Sequence, residues 1–175
     1  VHVVEEDLVL VGATVTVEPG AVVKFLEGVR IVAVDGGILS APGTTEQPIV
    51  FTSFADDEAG GDTNADGTAT VPYAGQWDGL LAEGTGQLDL SSHVDVRYIR
   101  VTHEGAVETD ETWLGNRTHV LPGDLTVRQG AVLTILPGAV VKLNRGRELR
   151  LEGGAALRAE GTVAQPIVFT SLTDD

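Results

Sequence analysis

Residues 62–68 read Asp62-Thr63-Asn64-Ala65-Asp66-Gly67-Thr68, with oxygen-bearing side chains at every second position and glycine at the sixth. In a tight turn this alternation directs three side-chain oxygens to one side, and the glycine admits the backbone bend. Oxygen sets of this kind hold hard divalent cations, calcium above all. Thr68 can add its carbonyl. The pattern matches the first half of an EF-hand-like loop, but the position that would carry a bidentate Glu is Tyr73. Another acid must complete the shell. Asp56, Asp57 and Asp78 are the candidates, with Glu58 a further one. The expected calcium ligands are therefore Asp56, Asp57, Asp62, Asn64, Asp66, Thr68 and Asp78. The competing reading is an acidic surface loop closed by Asx-turns, with no ion. Asp56, Asp57, Glu58, Asp62 and Asp66 repel one another, and a divalent ion would remove that repulsion and tie the loop to the structure beneath it. Its expected role is structural stiffening.

The rest of the chain offers little chemistry. In Asp95-Val-Arg97-Tyr98-Ile-Arg100-Val-Thr-His103, strand alternation puts Asp95 and Arg97 on one side and Arg100 on the other. That reads as a solvent face with ion pairs. His2, His93, His103 and His119 are scattered. No Ser/His/Asp order, Gly-x-Ser-x-Gly elbow or pair of carboxylates with a reason for a raised pKa is present, so no catalytic residue is expected. Trp77 and Trp113 read as caps over gaps in irregular geometry, with sugar stacking as the lesser reading. Lys24 and Lys142 read as charges placed outward on exposed strands. Asn116-Arg-Thr118 is a glycosylation sequon.

Composition narrows the partners. With 26 acids against 11 Lys and Arg the net charge is −15, opposite to what nucleic acid or an anionic lipid surface attracts. The 42% hydrophobic content excludes general disorder. Only 5% is aromatic, which favours thin layers of β-branched side chains over a bulky core. There is no Cys, so thiolate metal sites and disulfides are excluded. No apolar run is long enough to span a membrane as a helix.

The elements that would position the acidic loop are short strands. Gly12–Asp57 and Gly130–Asp175 align without a gap at a spacing of 118 residues, and 24 of 46 positions are identical. His2-Val-Val-Glu-Glu-Asp-Leu answers His119-Val-Leu-Pro-Gly-Asp-Leu upstream, so His2 and His119 are repeat equivalents. Within the first copy, strand-like runs stand at 8–11, 14–17, 21–25, 30–34, 38–41 and 49–53. The second copy has them at 125–127, 132–135, 139–143, 148–151, 156–159 and 167–171. Glu-Pro-Gly, Glu-Gly, Asp-Gly-Gly and Pro-Gly-Thr separate them, and no stretch carries a helical period. Further strands are expected at 77–81, 88–90 and 94–101, and 109–118 reads as a longer outer loop. Strands of about 3–5 residues without hairpin turns argue for a parallel solenoid of about 20–25 residues per coil. One period would hold roughly five coils, advancing about 25 Å.

The string GAVLTILPGAVVK, with AEGTVAQPIVFTSLTDD after it and Gly75-Gln-Trp77-Asp-Gly79-Leu80 beyond the acidic loop, resembles the right-handed parallel β-helix repeats of large bacterial and archaeal extracellular surface proteins. The resemblance implies one continuous β-helix over 1–175 with a truncated second copy. It also implies a secreted, cell-surface setting in a fibre, stalk or adhesin. Partners would be neighbouring repeats or identical subunits stacked end to end into filaments, or a cell-surface or carbohydrate ligand. A polysaccharide-binding or polysaccharide-degrading module on the same fold is the alternative.

Overall fold

The computed structural model describes residues 1–115 and 117–174 and is all-β. Among the described residues, glycine turns and β-branched runs make twenty strands of three to five residues. The first coil is β1 (His2–Val4), β2 (Leu8–Val11) and β3 (Thr14–Thr16). The second is β4 (Val22–Phe25), β5 (Arg30–Val34) and β6 (Ile38–Ala41). The third is β7 (Ile49–Ser53), β8 (Gly79–Ala82) and β9 (Gln87–Leu90), and β10 (Val94–Val96) begins a fourth. A second set follows: β11 (Arg100–Thr102), β12 (Gly105–Val107) and β13 (Glu111–Trp113), then β14 (Thr118–Leu121), β15 (Leu125–Val127) and β16 (Val132–Ile135). It continues with β17 (Val140–Leu143), β18 (Leu149–Leu151) and β19 (Ala156–Ala159), and β20 (Val168–Ser171) starts its last turn.

Among the described residues every ladder pairing is parallel, each strand with its equivalents one coil away, which makes the fold a β-solenoid. Two compact units, Val1–Ile99 and Arg100–Asp175, each have three sheets. In the first unit these are β1-β4-β7-β10, β2-β5-β8 and β3-β6-β9; in the second, β11-β14-β17-β20, β12-β15-β18 and β13-β16-β19. The two sequence copies occupy matching places: β4 and β17 both precede a register step of 28 residues, Val22 to Val50 and Val140 to Val168.

Parallel stacking puts like on like. In the first unit His2, Val23, Phe51 and Val96 form one column, and Leu8, Ile31 and Leu80 another. Trp77 is fully buried, with its ring flat against Phe25 at 4.0 Å. In the second unit Val101, His119, Val141 and Phe169 form the matching column, and Trp113 lies over Ile135.

Coil length follows from register. Steps run from 18 residues (Arg100 to Thr118) to 28, but three are longer: 49 from Arg30 to Gly79 and from Ile38 to Gln87, and 45 from Ile49 to Val94. The excess is the acidic loop, residues 54–78, leaving the solenoid after β7 and returning at β8. One 118-residue period, β4 to β17, accordingly holds four full coils and the single β10, where roughly five coils were expected.

Three expectations change. The segment 109–118 is not an outer loop: it contains β13, and Trp113 is 1% exposed within the core. The run 94–101 divides between β10 and β11, which belong to different sheets, with Tyr98 at φ +57° between them. Lys24 points away from its coil, as alternation demands, yet it is 0% exposed. The acidic loop roofs that face of the sheet. The sequon residue Asn116 and the repeat's last residue, Asp175, lie outside the described residues.

Candidate metal centre

The loop leaves β7 through a fixed corner. Phe54 N–H donates to the Phe25 carbonyl (2.8 Å) and Asp56 N–H to Ser53 O (3.1 Å). The buried Thr52 hydroxyl donates to Asp56 Oδ2 (2.6 Å), Glu58 N–H donates to Asp56 Oδ1 (3.2 Å), and Arg97 Nη1 lies 3.5 Å from Asp56 Oδ2. Both Asp56 oxygens are therefore engaged. This carboxylate is fully buried and staples the loop root to β7 and to the stretch after β10. Arg97 is held in turn by Asp95 at 2.6 Å. Burial raises the Tyr98 phenol pKa, and the Asp56 and Glu58 carboxylates raise it further. A second anchor comes from beneath: Lys24 Nζ donates to the Gly61 carbonyl at 2.6 Å.

The loop then closes on itself. Asp62 accepts from Asp66 N–H (3.1 Å) and from Gly67 N–H (3.0 Å), an Asx-type ring. Gly67 takes φ +72° and Ala65 φ +57°, which turn the chain back. Asn64 Nδ2 donates to Asp66 Oδ2 (2.8 Å) and Thr70 Oγ1 (2.9 Å), and the Thr70 hydroxyl donates to Asp66 Oδ2. Asn64 is thus fixed by Nδ2 and Asp66 by Oδ2, each with its Oδ1 left without a donor, while Asp62 accepts through both oxygens.

Asp57, Asp62 and Asp66 each offer a carboxylate oxygen, and the three oxygens lie within 4.8 Å of one another. Asp57 Oδ1, Asn64 Oδ1 and Asp66 Oδ1 are each buried with no hydrogen-bond donor. A buried acceptor without a donor costs about 1–3 kcal/mol. Two like charges 4.8 Å apart repel by about 1 kcal/mol in water and about 3–4 kcal/mol at an effective dielectric of 20. Three donorless oxygens among mutually repelling carboxylates is the chemistry a hard divalent cation satisfies.

The seven expected ligands thus separate. Asp57, Asp62 and Asp66 converge, and Asn64, bonded through Nδ2 to Asp66, adds a buried oxygen without a donor. Asp56 sits at the root with its oxygens committed to other partners. Thr68 is exposed and lines a cleft of about 320 Å³ together with Asp57 and Glu58. Asp78 stands half-buried where the chain re-enters the solenoid, its N–H donating to Val29 O (3.0 Å), and it is outside the Asp57–Asp62–Asp66 cluster. Tyr73, where a bidentate Glu would stand, donates its hydroxyl to Glu27 Oε1 (2.8 Å) and pins the far arm of the loop.

Sequence reading missed one constellation. The histidines read as scattered, but His103 Nε2 and His119 Nδ1 are 2.9 Å apart, stacked on Trp113. The available signal was coil length: the step of 18 residues from Val101 to His119 brings residues 103 and 119 to one corner.

Comparison with protein-family models, with curated proteins and with solved structures gave no match.

Proposed function

We propose that this chain is a calcium-stabilised structural segment of an extracellular fibre, stalk or adhesin. The observation that carries this reading is the set of three donorless oxygens, Asp57 Oδ1, Asn64 Oδ1 and Asp66 Oδ1, in a loop roofing the outer face of a parallel solenoid. An ion bound there joins loop residues to one another. Lys24 and Asp56 join the same loop to β4, β7 and the stretch after β10. The result is a stiffened segment, with the metal in a structural role. Extracellular calcium modules work at about 10⁻⁴–10⁻³ M, which suits a shell of mixed carboxylate and amide oxygens at a surface.

End-to-end stacking of neighbouring repeats or identical subunits belongs to the same proposal: Phe51 is 0% exposed beneath its partner strand β10, and a coil laid on β20 in the same way would cover the repeat equivalent Phe169. For the alternative, a polysaccharide module, both tryptophans are inside coils and Asp95 is paired with Arg97, so these four residues give a sugar no platform.

Calcium titration calorimetry is the test. One ion per chain, bound more tightly than magnesium, is expected. Absence of binding at millimolar calcium would remove the metal from the proposal. Electron microscopy of concentrated protein with calcium tests stacking, since isolated particles alone would count against it. A polysaccharide screen with product detection tests the alternative.

A further inference from the structure

His119 occupies an interior position that the rest of its column fills with apolar side chains: Val101 is its neighbour on β11, Val141 on β17, and the residue is 2% exposed. Its hydrogen bonds fix where its proton sits. Nε2 lies 3.0 Å from the Leu114 carbonyl, which can only accept, so Nε2 carries the hydrogen and Nδ1 of the neutral ring is an acceptor. His103 Nε2, 2.9 Å from that Nδ1, is then the donor. The one ring nitrogen left with a lone pair is His103 Nδ1. It lies 3.5 Å from Glu111 Oε1, and the Glu111 side chain is 40% exposed. The same Glu111 oxygen accepts from Trp113 Nε1 (2.7 Å). Both imidazoles lie on the Trp113 ring, His103 at 4.0 Å and His119 at 4.7 Å.

We infer that His103, His119, Glu111 and Trp113 form a two-step proton-operated lock on the coil β11-β12-β13, with His103 as the proton port and His119 as the bolt. The first proton enters at His103 Nδ1. It breaks no hydrogen bond, creates an ion pair with Glu111 and sets a cation on an indole face, all of which favour it. The second proton can go only to His119 Nδ1. It severs the bond between the rings and places two cations side by side in the interior. The charged groups acting on His119 are His103, Glu111 and Arg117, while its β11 and β17 neighbours in register are valines. Burial lowers both imidazole pKa values, each to about 4. The coil is thin, and its strands pair with β14, β15 and β16. Its three strands are three residues long, and its buried apolar side chains are Val107 and Trp113.

The experiment is an NMR titration of the whole chain from pH 8 to pH 3. It follows the imidazole nitrogens and, in parallel, amide exchange in β11–β13. At pH 8 both rings should be Nε2–H tautomers. His103 should charge first, with exchange in β11–β13 unchanged. His119 should charge later and bring at least a tenfold rise in that exchange. Glu111→Gln, which still accepts from Trp113, should move only the first step to lower pH. His119→Val, matching its column neighbours, should abolish the acid-induced rise. The inference is overturned if His119 charges first, if both rings titrate together near their ordinary pKa, or if exchange in β11–β13 ignores His119 protonation. Should His119→Val fail to fold, the titration of the unaltered chain decides alone.

Discussion

If the acidic loop holds a calcium ion, two conservative changes should reverse their effect with calcium. Asp66 uses Oδ2 to accept from Asn64 and Thr70 and leaves Oδ1 without a donor. Asp66→Asn can keep its oxygen at the Oδ2 position and place the amide nitrogen where Oδ1 stands. Asp57→Asn does the same at Asp57 Oδ1. Hydrogen bonding within the loop is then preserved while two of the proposed ligands become donors. Without calcium the double variant should be at least as stable as the parent chain, because it removes charges 4.8 Å or less from one another. Each such pair repels by about 1 kcal/mol in a water-like medium. With calcium the order should invert. At a free concentration 100-fold above the dissociation constant the parent gains about 2.7 kcal/mol by linkage, and the variant gains none. For a unit of the size of Val1–Ile99 that gain is about 10–20 °C in melting temperature. The assay is thermal melting of both proteins, in chelator and across a calcium series, followed by Trp77 fluorescence in a Trp113→Phe background. If the double variant is destabilised equally with and without calcium, the oxygens are ordinary parts of the loop's hydrogen bonding and the metal argument fails.

Two further predictions follow from buried ionisable groups. Lys24→Met keeps the apolar stem against the sheet but removes the charge-assisted hydrogen bond to the Gly61 carbonyl, which then keeps only the Thr63 hydroxyl at 3.2 Å, a loss of about 1.5–3 kcal/mol; limited proteolysis should show faster cleavage within residues 54–76, and equal cleavage rates would mean that Lys24 does not anchor the loop. The imidazoles of His103 and His119, lowered by burial to about 4, make unfolding pH-dependent: the unfolded chain binds more protons between about pH 4 and 6.5, so their contribution to stability is full above about 6.5 and is lost as pH falls to about 4, by up to about 3 kcal/mol per ring. Denaturant midpoints at pH 7 and pH 4, taken in chelator, should fall less for His119→Val than for the parent; equal falls would contradict the assignment.

The fold was legible because a solenoid is written locally. Glycine and proline turns mark the corners, three to five β-branched residues fill each side, and the 118-residue repeat fixes which strands are equivalent. Strands β2 to β7 stand within a residue of where the pattern puts them. The acidic loop was legible for a similar reason, since its Asx ring, glycine bend and paired acids lie within seven residues. What was not legible depends on neighbours one coil away. Alternation correctly turns Lys24 out of its coil, but the roof that buries it comes from residues 37 positions later. Asp56 read as a ligand because it adjoins Asp57; its actual partners, Thr52 and Arg97, follow from the path of the corner. The strand β13 was hidden because Glu111-Thr-Trp113 lacks the Val/Ile/Leu signature, and only Trp113 reaches the core.

The histidines show how far repeat symmetry constrains environment. His2 and His119 take the same register position, each opposite a valine of the next coil, Val23 and Val141. His2 is exposed, whereas His119 has β11 on its other side and is buried. The repeat therefore specifies the rung on which a side chain stands, and the presence of a coil on both sides decides whether that side chain is a surface group or an interior one. The same rule separates Phe51 from Phe169. In a stack of coils, burial and with it the pKa of a titratable group is set by neighbours along the axis, so adding or removing one coil changes chemistry at positions whose sequence is unchanged. An imidazole covered on both sides, as His119 is, becomes a group that resists charge until the coil above it opens.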